Sequence, residues 1–296
     1  MFFYYLYDRK FISDIHLFNI PMSDTVFSDP EVIIHKGSFT VEQLENSKME
    51  IQISQKCSLV NFRFGAIKIL DGKEIIYTSK ENYTVEHIMP FIAGWGIAMV
   101  LTQMGFSAFH CSALTYNNNC FFVSGVSGAG KSTTSLELLK HGCKYLSDDI
   151  AIVNSYNDML VAPAFPVQKL CPDVTFDINE DCLYEINNSR GKYSYLNIKD
   201  YCATPKRLTT IFKLMAADVP QISVEEITGL DKYLRVMECL FLEVPYALTS
   251  FPDDEKFRCL KIAGNVRFYN ITRPKYGNTL QEISNTILKI LDEQDK

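Results

Sequence analysis

The sequence predicts an α/β fold with a small β-rich region on its N-terminal side, and three observations carry that prediction. Residues 1–84 hold short runs rich in β-branched and aromatic side chains, separated by turn formers. An apolar stretch of helical length follows over 85–105. From Phe109 onward the pattern becomes strand, Gly-rich loop, helix, strand, as in α/β units. The 296 residues suffice for one large or two modest domains, and the change of pattern divides them into 1–84 and 85–296.

Taken in order, YYLYDRKFISDI, EVIIHKGSF, KMEIQISQ, LVNFRFGAIKIL and KEIIYTSKENYTV are the strand candidates of the first region. Asp71-Gly72 between the last two predicts a hairpin. Ile88–Leu101 is free of charge but shorter than the roughly 20 residues a spanning helix needs, so it reads as a buried core helix. A strand from Phe109 to Thr115 leads through a turn at Asn117–Asn119 into the strand Cys120–Val123. IAIVNSY, MLVAPAF, LTTIFKLM and VRFYNITR are further strands, and VEEITGLDKYLRVMECLFLE reads as helical. The polar stretch Glu180–Cys202 reads as a long surface loop. A closing amphipathic helix is predicted from Leu280, Ile283, Ile287, Ile290 and Leu291, which recur at helical spacing.

Composition narrows the function classes. With 47% apolar and 22% charged residues, the chain has the make-up of a globular protein. The net charge of −6 and the lack of a Lys/Arg stripe argue against nucleic acid or an anionic membrane as partner. Nine scattered cysteines without a CxxC pair suggest free thiols rather than a disulfide frame or zinc site. The start, MFFYYLYDRKF, lacks the basic segment of a signal peptide. The expected location is the cytoplasm.

The chemistry concentrates in SGVSGAGKSTTSLELLKHGCKYLSDDI, residues 124–150. Gly125, Val126, Ser127, Gly128, Ala129, Gly130, Lys131 and Ser132 fit G-x-x-x-x-G-K-[ST], with a strand before and a helix after. Glycines let successive backbone N–H groups turn inward around phosphate oxygens, where a Cβ would obstruct. The helix starting near Lys131 adds the positive end of its dipole. Lys131 would bridge the β- and γ-phosphates of ATP, and the Ser132 hydroxyl would ligate Mg²⁺.

The adjacent Asp148 and Asp149 end a short apolar run soon afterwards. Neighbouring strand residues point to opposite faces, so both carboxylates reach one site only where the strand gives way to a turn. Two close like charges raise one pKa unless a metal neutralises the other. This suits a general base beside a metal ligand. His110, placed at a strand end, reads by itself as a structural histidine.

Together, His110 with its following apolar strand, GVSGAGKST, the helix ending in His141-Gly142, and KYLSDDIAIV resemble the HPr kinase/phosphorylase and phosphoenolpyruvate carboxykinase-like group of P-loop enzymes. YLYDRKFISDI and VNFRFGAIKILDGKEI are similar to the N-terminal part of HPr kinase-related proteins of peptide-modification operons, and lasso-peptide precursor kinases are the nearest relatives this suggests. The resemblance implies that residues 125–133, Thr133 included, bind ATP phosphates. It implies that Asp148 deprotonates the acceptor hydroxyl, that Asp149 ligates Mg²⁺, and that His110 contacts the transferring phosphate or the acceptor side. Where HPr kinases themselves carry an acidic, Gly-rich segment, this chain has Ala162–Leu170, APAFPVQKL, so HPr is not the implied acceptor. Lys169, Lys192 and Arg207 could supply further phosphate or peptide contacts, although such residues are more often ordinary surface charges.

The expectation is therefore an ATP- and Mg²⁺-dependent kinase acting on a Ser or Thr hydroxyl of a peptide or small protein. Residues 1–84 then form a candidate acceptor-recognition module, and self-association is left open. A kinase for a small hydroxy-amino acid and a nucleotide-hydrolysing switch are the alternatives. The lack of an ABC-type signature and the paired aspartates weigh against the switch.

Overall fold

The computed structural model describes residues 1–18, 20–39, 49–170, 183–185, 193–249 and 251–294 of a mixed α/β protein with several sheets. Contacts divide it into two units: residues 1–108 with 241–256, and residues 109–240 with 257–296.

The first unit is built on a seven-stranded sheet. Its strands are β1 (Phe2–Leu6), β2 (Arg9–Ser13), β3 (Val32–Lys36), β4 (Glu50–Gln52), β5 (Cys57–Phe62), β6 (Gly65–Leu70) and β7 (Glu74–Ser79), in the order β1-β2-β3-β7-β6-β5-β4. The single run predicted at the start is a hairpin instead. Tyr7 and Asp8 take φ of 53° and 60°, the left-handed pair that a tight I′ turn requires. The predicted Asp71-Gly72 hairpin is present, with φ of 51° and 66°. A Cβ on Gly72 would stand 2.9 Å from Met104 Cγ, a second reason for glycine there.

The apolar segment forms α1 (Val85–Phe91), a π-helical turn (Ile92–Gly96) and α2 (Ile97–Gln103). By length and composition, Val85–Gln103 is apolar enough to cross a bilayer, and half of it is buried in the fold. Ile88, Ile92, Ile97, Ala98, Val100 and Leu101 are fully buried. They lie against β6 and β7, whose inward Ile67, Ile69 and Ile75 are also fully buried. Each such side chain contributes about 1.5–3 kcal/mol on burial. This packing is why the contact boundary falls at Ala108 and not at residue 84: the helical segment is the cover of the first sheet.

At the junction lies β8 (Ser107–Phe109). The second unit then contains β9 (Cys111–Tyr116), β10 (Asn119–Gly125), α3 (Lys131–Lys140), β11 (Lys144–Ser147), β12 (Ala151–Asn154), β13 (Leu160–Ala162), β14 (Val167–Leu170), β15 (Leu183–Glu185) and β16 (Tyr193–Leu196). After them come β17 (Lys206–Ala217), β18 (Ser223–Ile227) and α4 (Gly229–Met237). The first unit receives α5 (Glu243–Thr249), α6 (Asp253–Asn265) leads back into the second, and β19 (Arg267–Pro274) and α7 (Leu280–Gln294) complete the chain's described elements.

Three parallel strands, β10, β17 and β19, form the middle of the main sheet. β9 pairs antiparallel with β10 and with β11, so β11 runs parallel to β10. The carboxyl ends of β10, β11, β17 and β19 therefore lie on one edge of the sheet, where ligands of α/β sheets bind. One face packs on α3 and α7 through Leu114, Phe121, Val123, Leu138, Phe212, Leu214, Ile271, Ile283, Ile287 and Leu291.

Two expectations change here. The first part of VEEITGLDKYLRVMECLFLE is strand β18, paired antiparallel with β19, and only from Gly229 is the stretch helical. Its Glu225 and Glu226 are both exposed on this strand. Within the loop expected at 180–202, residues 183–185 and 193–196 are β15 and β16, which form a small sheet with β14. Lys192 and the Asn187–Gly191 segment lie outside the described residues.

Candidate functional site

The Gly-rich loop is shaped by backbone that only glycine adopts without strain. Gly125, Gly128 and Gly130 have φ of 147°, 84° and 105°. A Cβ on Gly125 would stand 2.5 Å from the Leu214 carbonyl oxygen and 3.1 Å from Ala129 Cβ. The neighbouring strand thus presses on the point where β10 turns into the loop. Ala129 is buried in the core and its N–H donates to the Val126 carbonyl, while Val126 itself is exposed. Gly130 is the N-cap residue of α3, whose first turn carries Lys131, Ser132 and Thr133, all half-buried. Lys131 Nζ donates to the Gly125 carbonyl at 2.7 Å and to the Val126 carbonyl at 3.4 Å. Its ammonium thus lies across the loop. Replacing Gly125 by Ala is expected to cost about 1–3 kcal/mol by overpacking, read as a lower unfolding midpoint; an unchanged midpoint would mean that the loop relaxes freely.

The two aspartates reach one place because the chain bends sharply between them. β11 ends at Ser147, Asp149 takes φ of 72°, and the Ile150 N–H donates to the Asp148 carbonyl at 2.9 Å. A hydrogen bond across two residues around a left-handed residue is a γ-turn, a strained geometry for an L-residue. Asp148 Oδ1 accepts from Ser112 Oγ at 2.7 Å, and Oδ2 accepts from the Lys169 N–H at 2.8 Å. Burial pushes the Asp148 carboxyl above its ordinary value, and the charge of Asp149 adds to this; the two hydrogen bonds and the Lys169 ammonium oppose it. Asp149 Oδ2 is 2.7 Å from Lys169 Nζ, and Asp149 Oδ1 is 3.7 Å from His110 Nδ1.

His110 stands at a strand end, as the sequence suggested, in the bend between β8 and β9. Its backbone is diverted from the sheet ladder: the N–H donates to the Cys239 carbonyl at 2.9 Å, and its carbonyl accepts from Ser124 Oγ at 3.1 Å. His110 Nδ1 lies 3.1 Å from the Asp149 carbonyl oxygen. A carbonyl only accepts, so Nδ1 carries the proton and Nε2 is the acceptor nitrogen of the neutral ring. Burial lowers the His110 pKa first, against the raising influence of Asp149, and Lys131 lowers it further. The net direction favours the neutral imidazole. Burial likewise raises the nearby Cys111 and Cys239 thiols, which leaves both protonated and poor nucleophiles.

The structure thus brings together His110, Lys131, Asp148 and Asp149 at the carboxyl edge of the sheet. It adds residues that the sequence reading set aside or missed. Lys169 is no ordinary surface charge: its backbone holds Asp148 and its side chain holds Asp149. Ser112 and Ser124 fix Asp148 and His110. From β19, Arg273 reaches the Gly-rich loop, with Nε 3.1 Å from the Ala129 carbonyl oxygen. Arg207 pairs with Asp158 at an exposed position.

For a metal, the oxygen donors that the sequence motifs nominate are the Asp149 carboxylate and the Ser132 hydroxyl. No group of three or more His, Cys, Asp or Glu gathers for a metal among the described residues. Asp149 offers one partly exposed carboxylate, and Mg²⁺ takes as few as one when phosphates and water complete its shell, but a cation there would have to share it with the Lys169 ammonium.

No protein-family model matches this chain, and no curated protein does. Among solved structures, the chain is similar to the Hpr(Ser) kinase/phosphatase from Coxiella burnetii, at 12% identity and a TM-score of 0.34, over 64% of this chain and 99% of that one.

Proposed function

We propose that the chain is an ATP-dependent kinase that moves the γ-phosphoryl group to a hydroxyl. The observation that carries this reading is a half-buried carboxylate, Asp148, whose pKa is raised by desolvation, beside a second carboxylate held by a cation, Asp149, on the sheet edge where a G-x-x-x-x-G-K-S loop emerges. Phosphoryl transfer asks the protein for positioning and charge stabilisation, and this cluster supplies a base, a metal ligand and cationic groups.

In this reading residues 125–133 bind the ATP phosphates, and Lys131 neutralises charge on the β/γ oxygens. Asp149 and Ser132 would hold Mg²⁺, which supplies charge neutralisation on the phosphates when bound. Asp148 takes the proton from the acceptor oxygen as its bond to phosphorus forms and the bond from phosphorus to ADP breaks. Each Asp148 oxygen already accepts one hydrogen bond, but a carboxylate has about four acceptor positions, so capacity for that proton remains. We assign the His110 ring, oriented through Nδ1 beside Asp149, to the transferring phosphate or the acceptor side. We assign the acceptor to a Ser or Thr of a peptide or small protein, and its recognition to the first unit. That sheet ends at β1 and β4, and an extended peptide adds readily to a sheet edge.

The test is incubation with γ-labelled ATP and candidate peptides, followed by mass spectrometry. Addition of one phosphate to a Ser or Thr side chain is expected. ATP hydrolysis without a phosphorylated product would instead favour a switch, and lack of nucleotide binding would end the reading altogether. Asp149→Asn is expected to raise the Mg²⁺ concentration needed for half-maximal rate, since an amide is a poorer ligand for a hard cation. An unchanged Mg²⁺ dependence would remove Asp149 from the metal site.

A further inference from the structure

Arg273 stands where the parallel strands outrun the loop. In the sheet register Gly125 lies opposite Leu214 and Leu214 opposite Ile271. β10 ends there, but β19 continues to Pro274. Arg273 is two residues beyond Ile271, so it projects from the same face, the one packed on α3 and α7. Past the end of β10 that face meets the Gly-rich loop rather than a strand. The guanidinium donates through Nε to the Ala129 carbonyl at 3.1 Å, through one terminal nitrogen to the Gly128 carbonyl at 3.4 Å, and through the other to the Pro274 carbonyl at 2.9 Å.

These bonds act on the loop's donors as well as its acceptors. In a trans peptide the C=O and the following N–H point in opposite directions. Drawing the Ala129 carbonyl towards Arg273 therefore aims the Gly130 N–H away from it. The bond to Pro274 ties the same guanidinium to its own strand, so the loop is braced against the sheet. A planar fork with five donors can hold several carbonyls in a fixed relation, which an ammonium cannot.

We infer that Arg273 is a positioning residue that holds the Gly-rich loop in its phosphate-binding shape. The inference rests on the reading of that loop as the ATP-phosphate site. A preformed loop saves the ordering cost of binding, so loss of Arg273 weakens nucleotide binding while leaving Asp148 and Asp149 in place. The KM for ATP rises, and kcat at saturating ATP changes little.

The test uses the full chain, with Kd for Mg·ATP from calorimetry and steady-state kinetics, for Arg273→Gln, Arg273→Lys and Arg273→Ala. Arg273→Gln is expected to raise Kd and KM by about tenfold or more, which is ~1.4 kcal/mol, with kcat within about threefold of wild type. Arg273→Lys, which keeps the charge but not the fork, should recover only part of the loss. Millimolar guanidinium added to Arg273→Ala should restore affinity in part, an effect that a general loss of folding would not show. Wild-type affinity in Arg273→Gln overturns the inference, as does a fall in kcat with KM intact, which would place Arg273 on the reacting phosphate. Failure of the wild-type chain itself to bind Mg·ATP overturns the phosphate-loop reading, and this inference with it.

Discussion

Asp148→Asn is expected to lower phosphoryl transfer by about 10³-fold, within the 10²–10⁴ range of positioned proton transfer, while ATP binding persists. The substitution is close to isosteric, and the surroundings can accept it. Asn Oδ1 can take the Lys169 N–H, and Asn Nδ2 can donate to Ser112 Oγ, because a hydroxyl serves as either partner. What is lost is the ability to bind a proton. The measurement is kcat with ATP Kd on the same preparation. Wild-type kcat, or a parallel loss of ATP affinity, would remove Asp148 from the role of base.

The raised pKa gives this assignment a pH signature. A base must be ionised to act, so kcat/KM should fall as pH drops through a value above the ordinary carboxylate range. Stability runs the other way. With a folded pKa above the unfolded one, the unfolded state ionises first as pH rises, and stability is lost from the unfolded value up to the folded one. Removing that half-buried charge should leave Asp148→Asn at least as stable as wild type at neutral pH, with the difference vanishing in acid. A variant markedly less stable at neutral pH than in acid, relative to wild type, would show that the ionised carboxylate is instead a net support of the fold.

What could be read from the chain alone follows from how local each signal is. The Gly-rich loop, the Asn117-Asn118 turn with φ of 46° and 70°, and helix α7 all declare themselves within a few residues. The paired aspartates could be placed at a turn by sheet geometry alone, though not the γ-turn that joins them. The contacts that Lys169 and Arg273 make are not legible in the sequence, for a different reason. Lys169 touches residues 20 and 21 positions away, and Arg273 touches Ala129 across 144 positions. Their places depend on which strands pair and in what register. Ser223–Ile227 was misread because charged and apolar residues there continue into a true helix, and only pairing with β19 makes it a strand. Helices α5 and α6 went unnoticed, although Asp253, Asp254 and Glu255 in the first turn of α6 are an N-terminal signal.

Lys131→Ala is expected to reduce turnover by about 10²-fold or more, the scale of losing one preorganised group aimed at developing charge. Its ammonium donates to the Gly125 and Val126 carbonyls, inside the span of the loop that would receive phosphates. Both carbonyls are neutral, whereas a phosphate oxygen would carry charge opposite to that of Nζ, which strengthens its bond. The same substitution carries a second, independent readout. Lys131 is one of the influences holding down the His110 pKa, after burial and against Asp149. Removing a nearby positive charge makes the imidazolium less unfavourable, so the His110 titration, followed by NMR of its ring protons, should move to higher pH. Burial is untouched by the change, so it should not make the ring an exposed one. Wild-type turnover in Lys131→Ala would defeat the phosphate-site assignment. A His110 titration that stays in place would instead show that the ammonium does not act on the cluster that contains Asp148 and Asp149, and that loop and aspartates work as separate sites.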